Sequence, residues 1–261
     1  IVTNCEIYNW EELAKKIQSD AQNDAQLLSQ LLKNTTTDTI VRDLAQLDGV
    51  YASCVWRNTQ VFVFRDIMGV KPLFYYYNTK TNVFAFASEQ KVLTKQGFSA
   101  KYITELNPRQ IISFDTETTK LQIIQRPFFK ANTTEQNEAD IIEKVEKYFV
   151  SALQKRIPDL KQNKVGVLFS GGIDSTIICY LLQKYDIPFT AYTAALDQKG
   201  MSEAEDLFWA RKIAQDFGFE LNEHTISLDE VPKYLAKVIP LVESSNVIKV
   251  GVALPFYLAC E

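Results

Sequence analysis

The sequence predicts two domains of different class, an α+β domain on an antiparallel sheet over residues 1–130 and an α/β domain with a parallel sheet over 131–261. Three observations predict this. In the first half, short runs rich in β-formers alternate with polar turns such as RNTQ at 57–60 and YNTKTN at 77–82. In the second half, strand-like and helix-like segments alternate at the spacing of βαβ units. Between the halves, Lys130 to Glu138 reads KANTTEQNE, a polar stretch suited to a linker.

Taken in order, Ile1 to Ile7 reads as a strand. From Trp10 through Leu32, the apolar positions Leu13, Ile17, Leu27, Leu28, Leu31 and Leu32 fit one helix or two, broken around Ser19 to Asn23. Strand runs follow at Leu44–Trp56, Val61–Arg65, Leu73–Tyr77 and Val83–Ala87, then a short helix at Ser88–Leu93 and strands at Gln110–Phe114 and Leu121–Gln125. Tyr75, Tyr76 and Tyr77 read as a strand between core and solvent. Together these runs predict one antiparallel sheet.

Beyond the linker, Glu138 to Lys155 carries Ile141, Ile142, Val145, Phe149 and Leu153 on one helical face. Then come a strand at 165–169, a helix at 173–184, strand Phe189–Ala194, helix Ser202–Phe217, strand Glu220–Ile226 and helix Leu228–Val238. The final VGVALPFYLACE has the apolar pattern of a helix.

Composition excludes several function classes. The 46% hydrophobic and 12% aromatic content is enough for real cores in 261 residues. A net charge of −4 with 28 scattered basic residues carries no footprint of a nucleic-acid binder, so acidic small molecules must be held by local sites. Cys5, Cys54, Cys179 and Cys260 lie far apart without a CxxC pair, which predicts reduced, buried thiols. A single histidine, His224, reads as an ordinary strand-edge residue and leaves little room for Ser-His-Asp triads or multi-histidine metal centres. No apolar run reaches the length of a membrane span and no signal peptide is visible, so the expectation is a cytoplasmic protein without membrane or nucleic-acid partners.

The chemistry is concentrated in VGVLFSGGIDSTIICY, Val165 to Tyr180. Val165, Val167, Leu168 and Phe169 form a buried strand that turns into a helix through a glycine pair. Gly171 and Gly172 allow backbone conformations in which loop and first-turn N–H groups converge on one anion. Ser170 and Ser175 add hydroxyl donors, and Asp174 beside a phosphate makes sense if Mg²⁺ lies between the two charges. The GK[ST] ending of the kinase and GTPase P-loop is absent. Read from the residues alone, a pyrophosphate cradle and a plain strand-to-helix glycine turn, with Asp174 as a helix-start residue, both remain open.

SGGIDS resembles the PP-loop of N-type ATP pyrophosphatases. The chain as a whole resembles glutamine-dependent asparagine synthetases, through TNCEIYNWEEL, LDGVYASCVW, FRDIMGVKPLFYYY and FASEQKVL in the first half and VGVLFSGGIDSTII, FTAYTAALD, EDLFWARKIAQDFG and VESSNVIKVGVALPFYL in the second. The resemblance implies an N-terminal-nucleophile (Ntn) hydrolase-like glutaminase domain over 1–130. It also implies a PP-loop domain over 131–261 that adenylates the aspartate side-chain carboxylate with ATP and Mg²⁺, for displacement by ammonia from glutamine. A homodimer is compatible with it.

Residue by residue, the resemblance gives Asn4 an oxyanion-hole role and makes Glu6 and Asp24 the acids that hold the glutamine amino group. It makes Ser170, Gly171, Gly172, Asp174 and Ser175 the pyrophosphate and Mg²⁺ loop, with the backbones of Phe169 and Ala194 flanking adenine and ribose, and Glu243 a catalytic acid near the amino-acid pocket. Arg65 and Asp66 are expected to be structural. Cys5 replaces a motif glycine and is not the nucleophile. The resemblance puts that chain-initiating cysteine before Ile1, and a second acidic loop of the type SGEGSDE with a later lysine beyond Glu261, so the sequence is expected to be part of a longer protein.

Asn246 and Gly251 stand where the family usually has Asp and Arg. Two alternatives therefore accompany the asparagine synthetase reading. One is a β-lactam-synthetase-like adenylating ligase with a silent glutaminase domain, and the other is a non-catalytic relic serving in assembly or regulation.

Overall fold

A computed structural model describes residues 1–130, 137–157, 165–196 and 204–261 of the chain. The centre of the expected linker and the expected helix start at Ser202 lie outside the described residues. The chain divides into two compact units, Ile1–Gln136 and Asn137–Glu261.

The first unit runs β1 (Val2–Ile7), α1 (Trp10–Lys16), α2 (Asp24–Leu31), α3 (Ile40–Leu44), β2 (Gly49–Arg57), β3 (Gln60–Arg65), β4 (Phe74–Asn78), β5 (Val83–Ala87), α4 (Gln90–Lys95), β6 (Ile103–Glu105), β7 (Gln110–Asp115) and β8 (Leu121–Gln125). Alternation along the strands sorts side chains to two cores. Phe62, Phe64 and Ile111 face one way, with Leu28, Leu32, Ile40 and Leu44 from the helices. Val61, Val63 and Ile112 face the other way and meet Tyr75, Tyr77, Phe84 and Phe86. The result is a helix layer, a five-stranded antiparallel sheet in the order β1-β2-β3-β7-β8, and a second antiparallel sheet in the order β5-β4-β6.

Two expectations are corrected here. The predicted single sheet is two, because the turn after β3 takes the chain out of the first one. Asp66 accepts the Val70 and Lys71 amides at 2.9 and 3.0 Å, and buried Arg65 bonds Glu105, the Leu106 carbonyl and the Gly69 carbonyl. These structural residues tie off the turn and aim β4 at β5 and β6. The predicted strand from Leu44 begins instead at Gly49, since Ile40 and Leu44, one helical turn apart and both buried, close the short helix α3.

The second unit runs α5 (Glu138–Arg156), β9 (Val165–Leu168), α6 (Ile173–Lys184), β10 (Phe189–Leu196), α7 (Glu205–Phe217), β11 (Leu221–Ile226), α8 (Val231–Val242) and α9 (Val247–Cys260). Its strands pair in parallel in the order β11-β10-β9, with Ala191 opposite both Val167 and Leu221. Val167, Phe169, Cys179, Leu182, Ala191, Ala210 and Ala214 form its core. The helix predicted from Leu228 is split, because the Ser227–Glu230 capping box closes a 3₁₀ turn before α8 begins. The stripe on α5 is present but open, with Ile142 59% exposed.

All four cysteines are free; Cys54 and Cys179 are buried as expected, whereas Cys5 is half-buried and Cys260 exposed. Among the described residues no single helix is long and apolar enough to cross a membrane. The α8 and α9 region passes by composition only as a pair bent by 108°.

Candidate functional site

The Phe169 amide donates to the Tyr192 carbonyl at 2.7 Å, so sheet pairing continues one residue past β9 before the chain turns away. The Phe169 ring is 2% exposed and meets Phe219 edge-on. At Gly171 the backbone enters the left-handed region, with φ at +72°. Gly172 returns to an extended conformation as the N-cap of α6.

Inside the loop, the Gly172 amide reaches Ser170 Oγ at 3.3 Å, Ser175 Oγ donates to the Gly172 carbonyl at 3.1 Å, and the two hydroxyl oxygens lie 3.4 Å apart. Among the described residues no backbone carbonyl accepts the amides of Gly171, Ile173, Asp174 or Ser175. The amide hydrogens of the bend and of the first turn of α6 are left for an anion, on the side where the helix dipole favours negative charge.

Asp174 is exposed in that first turn, and no hydrogen bond or ion pair among the described residues engages its carboxylate. Mg²⁺ is commonly held by one or two carboxylates together with substrate phosphates, and Asp174 fits that part. Among the described residues no group of three acids, histidines or cysteines could hold a metal by itself.

Ala194 lies two residues beyond Tyr192 on β10, opposite His224 of β11. It joins Phe169 and the glycine loop at the carboxyl ends of parallel strands, where α/β sheets bind ligands. A cavity of about 480 Å³ lined by Ile187, Pro188, Phe219 and Glu220 occupies the opposite, amino end of the sheet. His224 is tied into the fold through Nδ1 and the Leu258 carbonyl, 2.8 Å apart. Glu243 caps α8 with φ at +51°.

In the first unit, Asn4 and Glu6 project from the exposed side of β1, opposite Cys5 and Ile7. Asp24 turns to the other side. Its Oδ2 accepts the Ile7 amide at 3.1 Å and its Oδ1 the Ala25 amide at 2.7 Å. Burial, opposed by a hydrogen bond from Thr3 and reinforced by the Asp24 charge, pushes the Cys5 thiol up, away from a ready thiolate. Asn4 and Glu6 thus share a face that Asp24 does not share.

Two family models match the chain, one on each unit: a glutamine amidotransferase domain over residues 1–95 and asparagine synthase over 144–261. In its order of domains the chain is similar to the glutamine-dependent asparagine synthetases. A Methanocaldococcus jannaschii protein named as asparagine synthetase (glutamine-hydrolyzing) 1 is 29% identical over 282 residues, covering 100% of this chain and 49% of that protein. The asparagine synthetase (glutamine-hydrolyzing) of Rattus norvegicus is 27% identical, covering 98% of this chain and 49% of its own length. This chain therefore spans about half the length of the curated relatives it matches. Among solved structures, the glutamine phosphoribosylpyrophosphate amidotransferase from B. subtilis, complexed with ADP and GMP, overlays with a TM-score of 0.42 and 17% identity, covering 79% of this chain and 49% of that one.

One contributor to the loop is not marked by any motif in the sequence. The backbone of Trp209 and Ala210 on α7 stands directly against Gly171. Its signal was Ala210 itself, a small residue on the buried face of an otherwise bulky FWARK stretch.

Proposed function

We propose that this chain carries the glutaminase-like unit and the nucleotide loop of an ATP-dependent ligase that makes asparagine from aspartate, with ammonia drawn from glutamine. The observation that carries the reading is the conformation of 170–175: a left-handed glycine, hydroxyls at both ends, and amides that no backbone carbonyl among the described residues accepts, at the carboxyl end of a parallel strand. Ser170, Gly171, Gly172 and Ser175 bind and orient a pyrophosphate group, and Asp174 holds the metal beside it. The backbones of Phe169 and Ala194 flank the nucleoside. ATP supplies the activation that a carboxylate needs before ammonia can attack, since joining AMP turns its oxygen into a leaving group. Asn4 and Glu6 serve glutamine from their shared face of β1, Asp24 holds β1 to α2 behind them, and Glu243 acts on the acceptor side. The experiment follows pyrophosphate and asparagine with ATP, Mg²⁺, aspartate and either glutamine or ammonia; no pyrophosphate with any amino acid rejects the reading.

A second reading keeps the adenylating loop and changes the acceptor, as in β-lactam synthetases. It is favoured by Asn246, whose Oδ1 caps α9 by accepting the Lys249 amide at 3.1 Å, and by Gly251, beside which a β-carbon would meet open space. Pyrophosphate release that depends on a carboxylate other than aspartate supports it.

A further inference from the structure

A cavity of about 140 Å³ in the first unit is lined by Val41, Leu44, Leu47 and Ile67, with Tyr51 and Arg126 supplying its polar groups. Arg126 is only 9% exposed. Its guanidinium donates to the Arg65 carbonyl at 2.7 Å, the Pro108 carbonyl at 3.2 Å and the Tyr51 hydroxyl at 3.2 Å, all neutral acceptors. Among the described residues it forms no ion pair. The neighbouring carboxylate of Asp66 is engaged by the Val70 and Lys71 amides instead.

Asp66 is the nearby buried anion, but its oxygens are taken by the Tyr51, Val70 and Lys71 amides, so the Arg126 guanidinium keeps donor capacity that no carboxylate among the described residues meets directly. Tyr51 shows the same deficit in a second group. Its oxygen accepts from Arg126, which leaves the phenolic hydrogen without an acceptor among the described residues. Burial holds the phenol protonated well past neutral pH, so it remains a donor.

We infer that this cavity binds a small apolar carboxylate, its two oxygens received by Arg126 and Tyr51 and its short hydrocarbon tail enclosed by Val41, Leu44, Leu47 and Ile67. The apolar walls offer nothing to an ammonium group, which excludes free amino acids. The site is separate from the residues assigned to glutamine and ATP, and its test is independent of ligase activity.

The test is titration of sodium isobutyrate into the purified 261-residue chain, followed by ¹H–¹⁵N NMR, with isobutyramide as the uncharged isostere. Saturable binding of isobutyrate at least about ten-fold tighter than isobutyramide is expected, as the loss of a charge-assisted bond requires. Val41→Phe, on the half-buried side of α3, narrows the cavity and should weaken binding by about ten-fold or more while the fold is kept. Arg126→Met should do the same. If that variant does not fold, because the Arg65 and Pro108 carbonyls lose their donor, the isobutyrate and isobutyramide comparison on the unaltered chain decides. Equal affinity for the two probes, displacement by chloride at equal concentration, or unchanged binding in Val41→Phe overturns the inference.

Discussion

Gly171 and Ala210 approach so closely that a β-carbon on the glycine would stand 2.5 Å from the Ala210 nitrogen and 2.6 Å from the Trp209 carbonyl carbon. Both obstacles are backbone, which cannot swing aside as a side chain can. The loop conformation and the seating of α7 are therefore one requirement, placed on one residue. Gly171→Ala combines a left-handed strain with this overlap, so a loss of about 2–4 kcal/mol is expected, read as a lower urea midpoint, together with loss of ATP binding.

Asp174→Ala separates chemistry from folding. The carboxylate is exposed and has no protein partner among the described residues, so stability should change by less than about 0.5 kcal/mol. Pyrophosphate release should fall by about 100-fold or more, as expected when a metal-holding group is removed. Comparing thermal melts with turnover checks this; an active variant argues against the nucleotide reading.

Asp24→Ala should act on the fold. It removes the acceptor of the Ile7 and Ala25 amides, a link between β1 and α2, and should cost about 1–2 kcal/mol in chemical denaturation. Asp24→Asn keeps one acceptor oxygen and should recover part of that loss. A glutamine-binding role would appear separately, as weaker glutamine affinity in the folded Asn variant.

The thiols provide a pH readout. Burial pushes the Cys54 thiol up to about 11 and Cys179 up to about 12. Iodoacetamide at pH 8.5 should therefore label Cys260 first and leave Cys54 and Cys179 intact until the chain unfolds, as peptide mass mapping would report. Because both folded values are raised, the stability they contribute is complete below the unfolded value near 9 and is lost as pH climbs toward 11–12.

At the acid end the window reverses. Arg211 on α7 grips Glu223 of β11 through Nε at 2.9 Å and a terminal nitrogen at 2.6 Å, and this guanidinium holds the Glu223 carboxyl below its ordinary value. A lowered folded value means the contribution is present above the unfolded value of 4.5 and disappears as pH falls through the folded one. Glu223→Gln should therefore flatten the melting temperature between pH 5 and 3, by an amount equivalent to about 0.5 kcal/mol for so exposed a pair.

The sequence by itself determined the two fold classes, because strand alternation and the βαβ rhythm are local patterns that one core on each side of a strand imposes. It also marked SGGIDS, since a glycine pair between a buried strand and a helix is readable without neighbours. Only the tertiary structure decided that the chain leaves the first sheet after β3, that Leu44 closes a helix, that Asn4 and Glu6 face away from Asp24, and that α7 seats Gly171. Each depends on contacts between residues distant in the chain, such as Asp24 with Ile7 or Arg126 with Tyr51. Local spacing carries no record of such meetings, because they are chosen by which buried groups find partners once the layers come together.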